Sequence, residues 1–245
     1  MERVVKRLLR HNLIFFSWGA AVTGDSARAG PTVAELEAVL LQAKLAVPHR
    51  RTGSVSRAAL IEAARARDRR VVGVTAPAGY GKSTLLAEWS ELDDRRVAWV
   101  SLDRLDDDPS ALLALLASAY ARISGHTDLV ADMHGLGVSA LGRAAPRLAS
   151  AFRSSPVPFV LILDDLHELR SPDCHDVLSV VMAGIPEGSQ LVAASRSEQP
   201  HLPRLRASGD VVEIGAGGLR QVDIAGRVVR AGRSPGRVGV VGPAG

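Results

Sequence analysis

A doubly wound α/β fold, with a mostly parallel five-stranded sheet flanked by helices, is predicted by three features of this 245-residue chain. Short apolar runs alternate with stretches of helical period, the pattern of strands joined by crossover helices. One run, Val71-Val72-Gly73-Val74-Thr75, passes through a turn of small residues into Gly81-Lys82-Ser83 and an amphipathic segment. Another, Pro158 to Leu163, ends in the paired acids Asp164-Asp165.

Composition allows one α/β domain with appendages: 47% of the residues are hydrophobic, enough to bury a sizeable core. The formal charge of +4 comes from scattered arginines, since all but three of the thirty basic residues are Arg. No basic block or stripe accompanies it, so charge alone does not indicate nucleic-acid binding. Cys174 is the single cysteine, which excludes an internal disulfide and suits a reducing, cytoplasmic compartment. Nothing offers spaced Cys/His metal ligands. At the start, Arg3, Lys6, Arg7 and Arg10 precede an apolar run from Leu13 to Val22, and Ala27-Arg28-Ala29 follows. That is the outline of a signal peptide, too short to span a bilayer, or else an extension from a mis-set start. Residues 1–30 are therefore set apart, residues 31–214 are expected to form the domain, and residues 215–245 a tail.

In chain order, Thr32-Val33-Ala34-Glu35 fits a capping box opening a helix through Leu36, Val39, Leu40 and Ala43. A second helix is expected from about Ala58 to Ala66 and the first strand at 71–75. The following turn, Ala76-Pro77-Ala78-Gly79-Tyr80-Gly81-Lys82-Ser83-Thr84, is a phosphate-binding loop in strand-turn-helix context. Gly79 and Gly81 permit backbone conformations and close approach that a side chain would block, so successive N–H groups can turn toward phosphate oxygens. The helix N-terminus aims its free N–H groups at the same anion. Lys82 supplies a mobile charge for the β and γ phosphates, and the Ser83 hydroxyl a ligand for Mg²⁺. Ala76 replaces the usual first glycine, at a position that chiefly demands small size.

Val97 to Leu102 reads as the second strand, and Asp108-Pro109-Ser110 as the start of a helix from Ala111 to Ile123. The acidic run Asp106-Asp107-Asp108 lacks calcium-loop spacing and reads as a solvated loop with a helix cap. Ser124 to Gly137 is irregular, and Ser139 to Phe152 reads as a helix kinked near Pro146. The third strand, ending in Asp164-Asp165, has the Walker B pattern, which places carboxylates at the carboxyl edge of a parallel sheet beside the phosphate loop. Asp164 is expected to hold Mg²⁺, and Asp165 to orient or deprotonate the attacking water. A helix from Asp173 to Ala183 leads to a fourth strand ending at Ser195-Arg196; Arg196 is either a γ-phosphate sensor or an ordinary strand-end arginine. Val211 to Ile214 is a short fifth strand. From Gly215 onward Gly and Arg dominate without period, and a mostly disordered tail is expected.

From Lys44 to Leu219 the chain resembles the ATPase domain of MalT-type large LuxR-family transcription regulators, a branch of the STAND signal-transduction ATPases. The resemblance rests on Lys44-Leu45 to Pro48 with Val55-Ser56-Arg57, on Ala76 to Thr84 with Trp89, and on Trp99 to Asp103 with Asp108-Pro109. It continues in Leu163-Asp164-Asp165-Leu166-His167 and in Ser195-Arg196 with Pro200, Leu205-Arg206 and Gly209. It implies a nucleotide switch that holds ADP at rest, exchanges it for ATP, self-associates and hydrolyses slowly as a reset. It also implies Arg57 near the base, Asp164 at Mg²⁺ and Arg196 as sensor. The family's sensor and DNA-binding domains do not fit in the residues after Leu219. The expectation is thus an ATPase domain with ATP/ADP and Mg²⁺ as ligands, truncated after its core by a frame change near Leu219 or Arg220. Its expected partners are copies of itself or related full-length regulators, with no direct DNA binding and no membrane. A freestanding P-loop kinase or ATPase is the first alternative; a decayed fragment that binds nucleotide at most is the second.

Overall fold

The computed structural model describes residues 32–50, 53–125, 140–220 and 240–241. The signal-like extension, the segment at 126–139 and most of the Gly/Arg-rich tail lie outside the described residues.

Thr32 and Glu35 form the expected capping box. The Thr32 amide donates to Glu35 Oε2 at 2.7 Å and the Glu35 amide to Thr32 Oγ1 at 3.3 Å, opening α1 (Val33–Lys44). Then follow α2 (Ala58–Arg65), β1 (Val71–Thr75), α3 (Lys82–Leu92), β2 (Arg96–Ser101) and α4 (Pro109–Ser124). A π-helical turn at Ala140–Ala144 runs into α5 (Ala145–Arg153), so the bend expected near Pro146 is a change of helical pitch just before the proline. The remaining elements are β3 (Phe159–Asp164), α6 (Pro172–Met182), β4 (Gln190–Ser195), α7 (Leu202–Ser208), β5 (Val211–Gly215), α8 (Ala216–Arg220) and β6 (Val240–Val241).

The sheet order is β2-β3-β4-β1-β5-β6. The five expected strands are all parallel, and the two-residue β6 adds an antiparallel edge on β5. Alternate side chains of each strand enter opposite cores. Phe159, Leu161 and Leu163 of β3, with Leu191 and Ala193 of β4, join the core built by α4, α5 and α6. Val160, Ile162, Val192 and Ala194 face the other way, with Val72 and Val74 of β1, against α2 and α3. Both faces of a parallel sheet must be covered, which is why these strands read as continuous apolar runs. On the first face Tyr120, Phe152 and Phe159 pack ring to ring at 4.7 to 5.5 Å, tying α4, α5 and β3 together.

Beyond Ile214, Ala216–Arg220 is helical, and Val240–Val241, within the stretch expected as a disordered tail, pairs with β5. Gly217 and Gly218 argue against a helix on propensity; Leu219, buried in the core above α2 and α3, supplies the contact that holds it.

β4 lies between β1 and β3, so the strand end carrying Ser195 and Arg196 sits between the phosphate loop and Asp164. All three strand ends meet at the carboxyl edge of the sheet, where ligands of open α/β folds bind.

Candidate functional site

The loop from Ala76 to Gly81 leaves β1 and is pinned at its start, where the Ala76 amide donates to the Ser195 carbonyl at 3.2 Å. Gly79 and Gly81 have φ of 83° and 75°, in the left-handed region, and Gly81 is the N-cap of α3. Any side chain would be strained there, and a Cβ on Gly81 would meet Arg57 Nη1 at 2.8 Å. Lys82 is only 7% exposed, and its ammonium donates to the Ala76 and Pro77 carbonyls at 2.8 and 3.0 Å. Burial lowers its pKa, Asp165 and Asp164 oppose that, and Arg196 adds to it.

The Ser83 side chain lies beside the Asp164 carboxylate, bringing the first turn of α3 to the end of β3. Asp164 is buried, and burial raises its pKa against the pull of Ser83 and Lys82. Asp165 follows in the left-handed conformation, φ 58°, which turns it out of the strand. With Lys82, Ser83, Thr84, Gly79 and Arg196 it lines a cavity of about 520 Å³ at the sheet edge.

No protein-family model matches the chain. It is 28% identical over 182 residues to the HTH-type transcriptional regulator MalT of Klebsiella pneumoniae, a match covering 73% of this chain and 20% of that protein. The MalT of Cronobacter sakazakii matches at 28% over 184 residues with the same coverage. The chain thus spans about a fifth of the length of the curated relatives it matches. Among solved structures, Drosophila ORC bound to DNA is similar at a TM-score of 0.39 and 13% identity, over 95% of this chain and 60% of that one. A second, Caenorhabditis elegans PCH-2, is similar at 0.36 and 12%, over 65% and 41%. Neither structural likeness is close enough to bear weight; the P-loop type of α/β fold rests on the sheet order and the loop itself.

Every residue of the sequence-predicted site lies at or beside this edge, but Arg57 serves the loop rather than an open pocket. Its guanidinium donates to the Gly81 carbonyl at 3.1 Å and the Tyr80 carbonyl at 3.2 Å, and burial lowers its pKa. Arg196 is exposed and touches the site through its charge on Lys82 and His167.

Sequence reasoning missed four features. Glu88, 2% exposed on α3, accepts from the Ser56 hydroxyl at 2.5 Å and the Arg57 amide at 2.9 Å, so it anchors the segment that brings Arg57 to the loop. Its signal was a lone carboxylate among Leu85, Leu86 and Trp89. Pro48, His49 and Arg50 line the same cavity as Lys82. His167 lies between carboxylates, Nδ1 3.8 Å from Asp165 and Nε2 3.4 Å from Glu168, and burial lowers its pKa. Arg220 stacks on the Tyr80 ring at 4.7 Å and hydrogen-bonds its hydroxyl, a contact over 140 residues that no local pattern signals.

The acidic run after β2, expected as a solvated loop with a helix cap, keeps the cap but is not solvated throughout: Asp106 is buried, 5% exposed. Asp106 bonds Lys44 Nζ at 2.6 Å, Asp107 accepts from the Arg170 and Ser171 amides, and Asp108 caps α4 through the Ser110 and Ala111 amides. Among the described residues, no cluster of three or more His, Cys, Asp or Glu could hold a metal, and no helix is long and apolar enough to cross a membrane.

Proposed function

We propose that this chain is an ATP- and ADP-binding switch domain of the STAND type, belonging to a LuxR-family regulator similar to MalT. The observation that carries the reading is the convergence of Lys82, Ser83 and Asp164 at one sheet edge, with Ser83 beside the Asp164 carboxylate. The 28% identity to proteins named as HTH-type transcriptional regulators supports its assignment to such a regulator.

In this reading the amides of Ala78 to Ser83 cradle the phosphates. Lys82, which bonds its own loop carbonyls, exchanges them for phosphate oxygens. Ser83 and Asp164 form an all-oxygen pair suited to a hard cation and would hold Mg²⁺, which, when bound, neutralises phosphate charge. Asp165, turned toward the cavity, orients water or takes its proton, and Arg196 reads the terminal phosphate. Arg57 acts from behind, fixing the Tyr80-Gly81 carbonyls. Turnover is slow and serves to reset the switch; the partners are copies of the domain or related regulators, without DNA contact by these residues.

Thermal unfolding with ADP-Mg²⁺ and ATP-Mg²⁺ tests the proposal. Stabilisation by both, lost in Lys82→Ala, is expected. Well-folded protein that gains no stability from either nucleotide sinks it, and turnover appearing only with an added acceptor would make the chain a kinase.

A further inference from the structure

The amino edge of the sheet, opposite the phosphate loop, holds a cavity of about 570 Å³ that the proposed switch does not use. Its floor is apolar, formed by Val71 at the start of β1, Ala149 of α5, Met182 at the end of α6 and Leu205 of α7. Its rim carries three guanidinium groups from three separate parts of the chain: Arg70, Arg153 and Arg204.

These cations are unequally compensated. Asp210, the acid on this rim, pairs with Arg70 at 2.8 Å. Arg153 has a single long bond to the Ala183 carbonyl, 3.4 Å, and Arg204 makes no ion pair or hydrogen bond among the described residues. A neighbouring cavity of about 540 Å³ shares Arg70, Arg153, Ala183 and Asp210, so the two rims run together; there Arg69 is matched by the acids Asp68 and Glu187, which leaves the uncompensated positive charge at Arg153 and Arg204. Beneath lies His201, whose Nδ1 is buried without a hydrogen-bond partner. An unpaired buried polar atom beside a concave apolar surface and two guanidiniums without a carboxylate partner calls for a ligand that supplies acceptors and an apolar body together.

We infer that this cavity is a second small-molecule site, for an organic anion with a short aliphatic body and a carboxylate or phosphate head. The head takes Arg153 and Arg204, the body covers Met182 and Leu205, and the ligand's remaining polar atoms reach His201. The five residues of β1 separate it from the phosphate loop, a distance of roughly 17 Å along the strand.

Met182 provides a local reporter, because the chain has only three methionines and the other two, Met1 and Met133, lie elsewhere in sequence. With methyl-labelled methionine in the full chain, titrating hexanoate and hexyl phosphate should move the Met182 methyl resonance saturably, while hexanol and hexylammonium should not. The head group preferred by the site follows from which of the two anions binds tighter. Arg153→Gln with Arg204→Gln should weaken the anion response at least about tenfold, and Arg153→Lys with Arg204→Lys should retain part of it. An unmoved Met182 with both anions, or an equal response to hexanol, overturns the inference. Nucleotide binding is read separately by the Lys82→Ala comparison, so failure at either site leaves the other intact.

Discussion

Glu88 is the residue on which the geometry of the phosphate loop depends at one remove. Its carboxylate, buried on α3, pairs the Ser56 hydroxyl and the Arg57 amide, and Arg57 in turn holds the Tyr80 and Gly81 carbonyls. Glu88→Ala removes the buried acceptor of two part-buried donors, so a loss of about 1–2 kcal/mol is expected in urea unfolding, with Glu88→Gln less affected. His201 makes a different kind of prediction. Burial, reinforced by the His175 ring 6.2 Å away, holds its pKa down to about 4 from an ordinary 6.5. Between those values the unfolded chain binds a proton that the folded chain refuses. The contribution is therefore complete above pH 6.5 and is lost as pH falls toward 4, by up to about 3 kcal/mol. Stability measured against pH should be less steep in this window for His201→Gln than for the parent chain; parallel curves would refute the assignment.

At the scale of elements, one close approach between helices and one cap hold the helices in place. Gly184, just past α6, lies so near α5 that a Cβ would stand 2.5 Å from the Ala149 carbonyl and 2.6 Å from its Cα. Gly184→Ala must push two backbones apart, and a cost of about 2–3 kcal/mol by denaturant titration is expected. Asp108 caps α4 through two amides, and Asp108→Ala should cost about 1 kcal/mol while Asp108→Asn costs little. Element identity was largely legible in the sequence: the five strand runs, the capping box at Thr32 and the cap at Asp108 all stand where pattern placed them. The short α8 was not, because Gly217 and Gly218 weaken any local signal and only the burial of Leu219 makes the turn helical.

For the molecule as a whole, the proposed nucleotide site would link ligand binding to folding. If ADP-Mg²⁺ binds as proposed, a hundredfold excess over its dissociation constant should add about 2.7 kcal/mol, which for a domain of this size raises Tm by about 5–10 °C. If Ser83 and Asp164 form the metal pair, chelation of Mg²⁺ should remove much of that shift, and Asp164→Asn should leave it nearly independent of metal. Equal dependence on Mg²⁺ in the variant and the parent chain would exclude Asp164 from that role.

The sequence alone determined the chemistry available and where it sits in the chain: the glycines, Lys82 and Ser83 of the loop, the acids ending an apolar run, and the alternation that demands a parallel sheet. Those are short-range facts, because turn conformation, strand periodicity and helix starts are set by neighbouring residues. The tertiary structure alone decided which strand ends meet. Placing β4 between β1 and β3 sets Ser195 and Arg196 between the loop and Asp164, brings Ser83 beside Asp164, and the fold packs Arg57 and Arg220 on the same turn from opposite parts of the chain. Strand order depends on how whole faces of the sheet are covered, and no local pattern of residues encodes it.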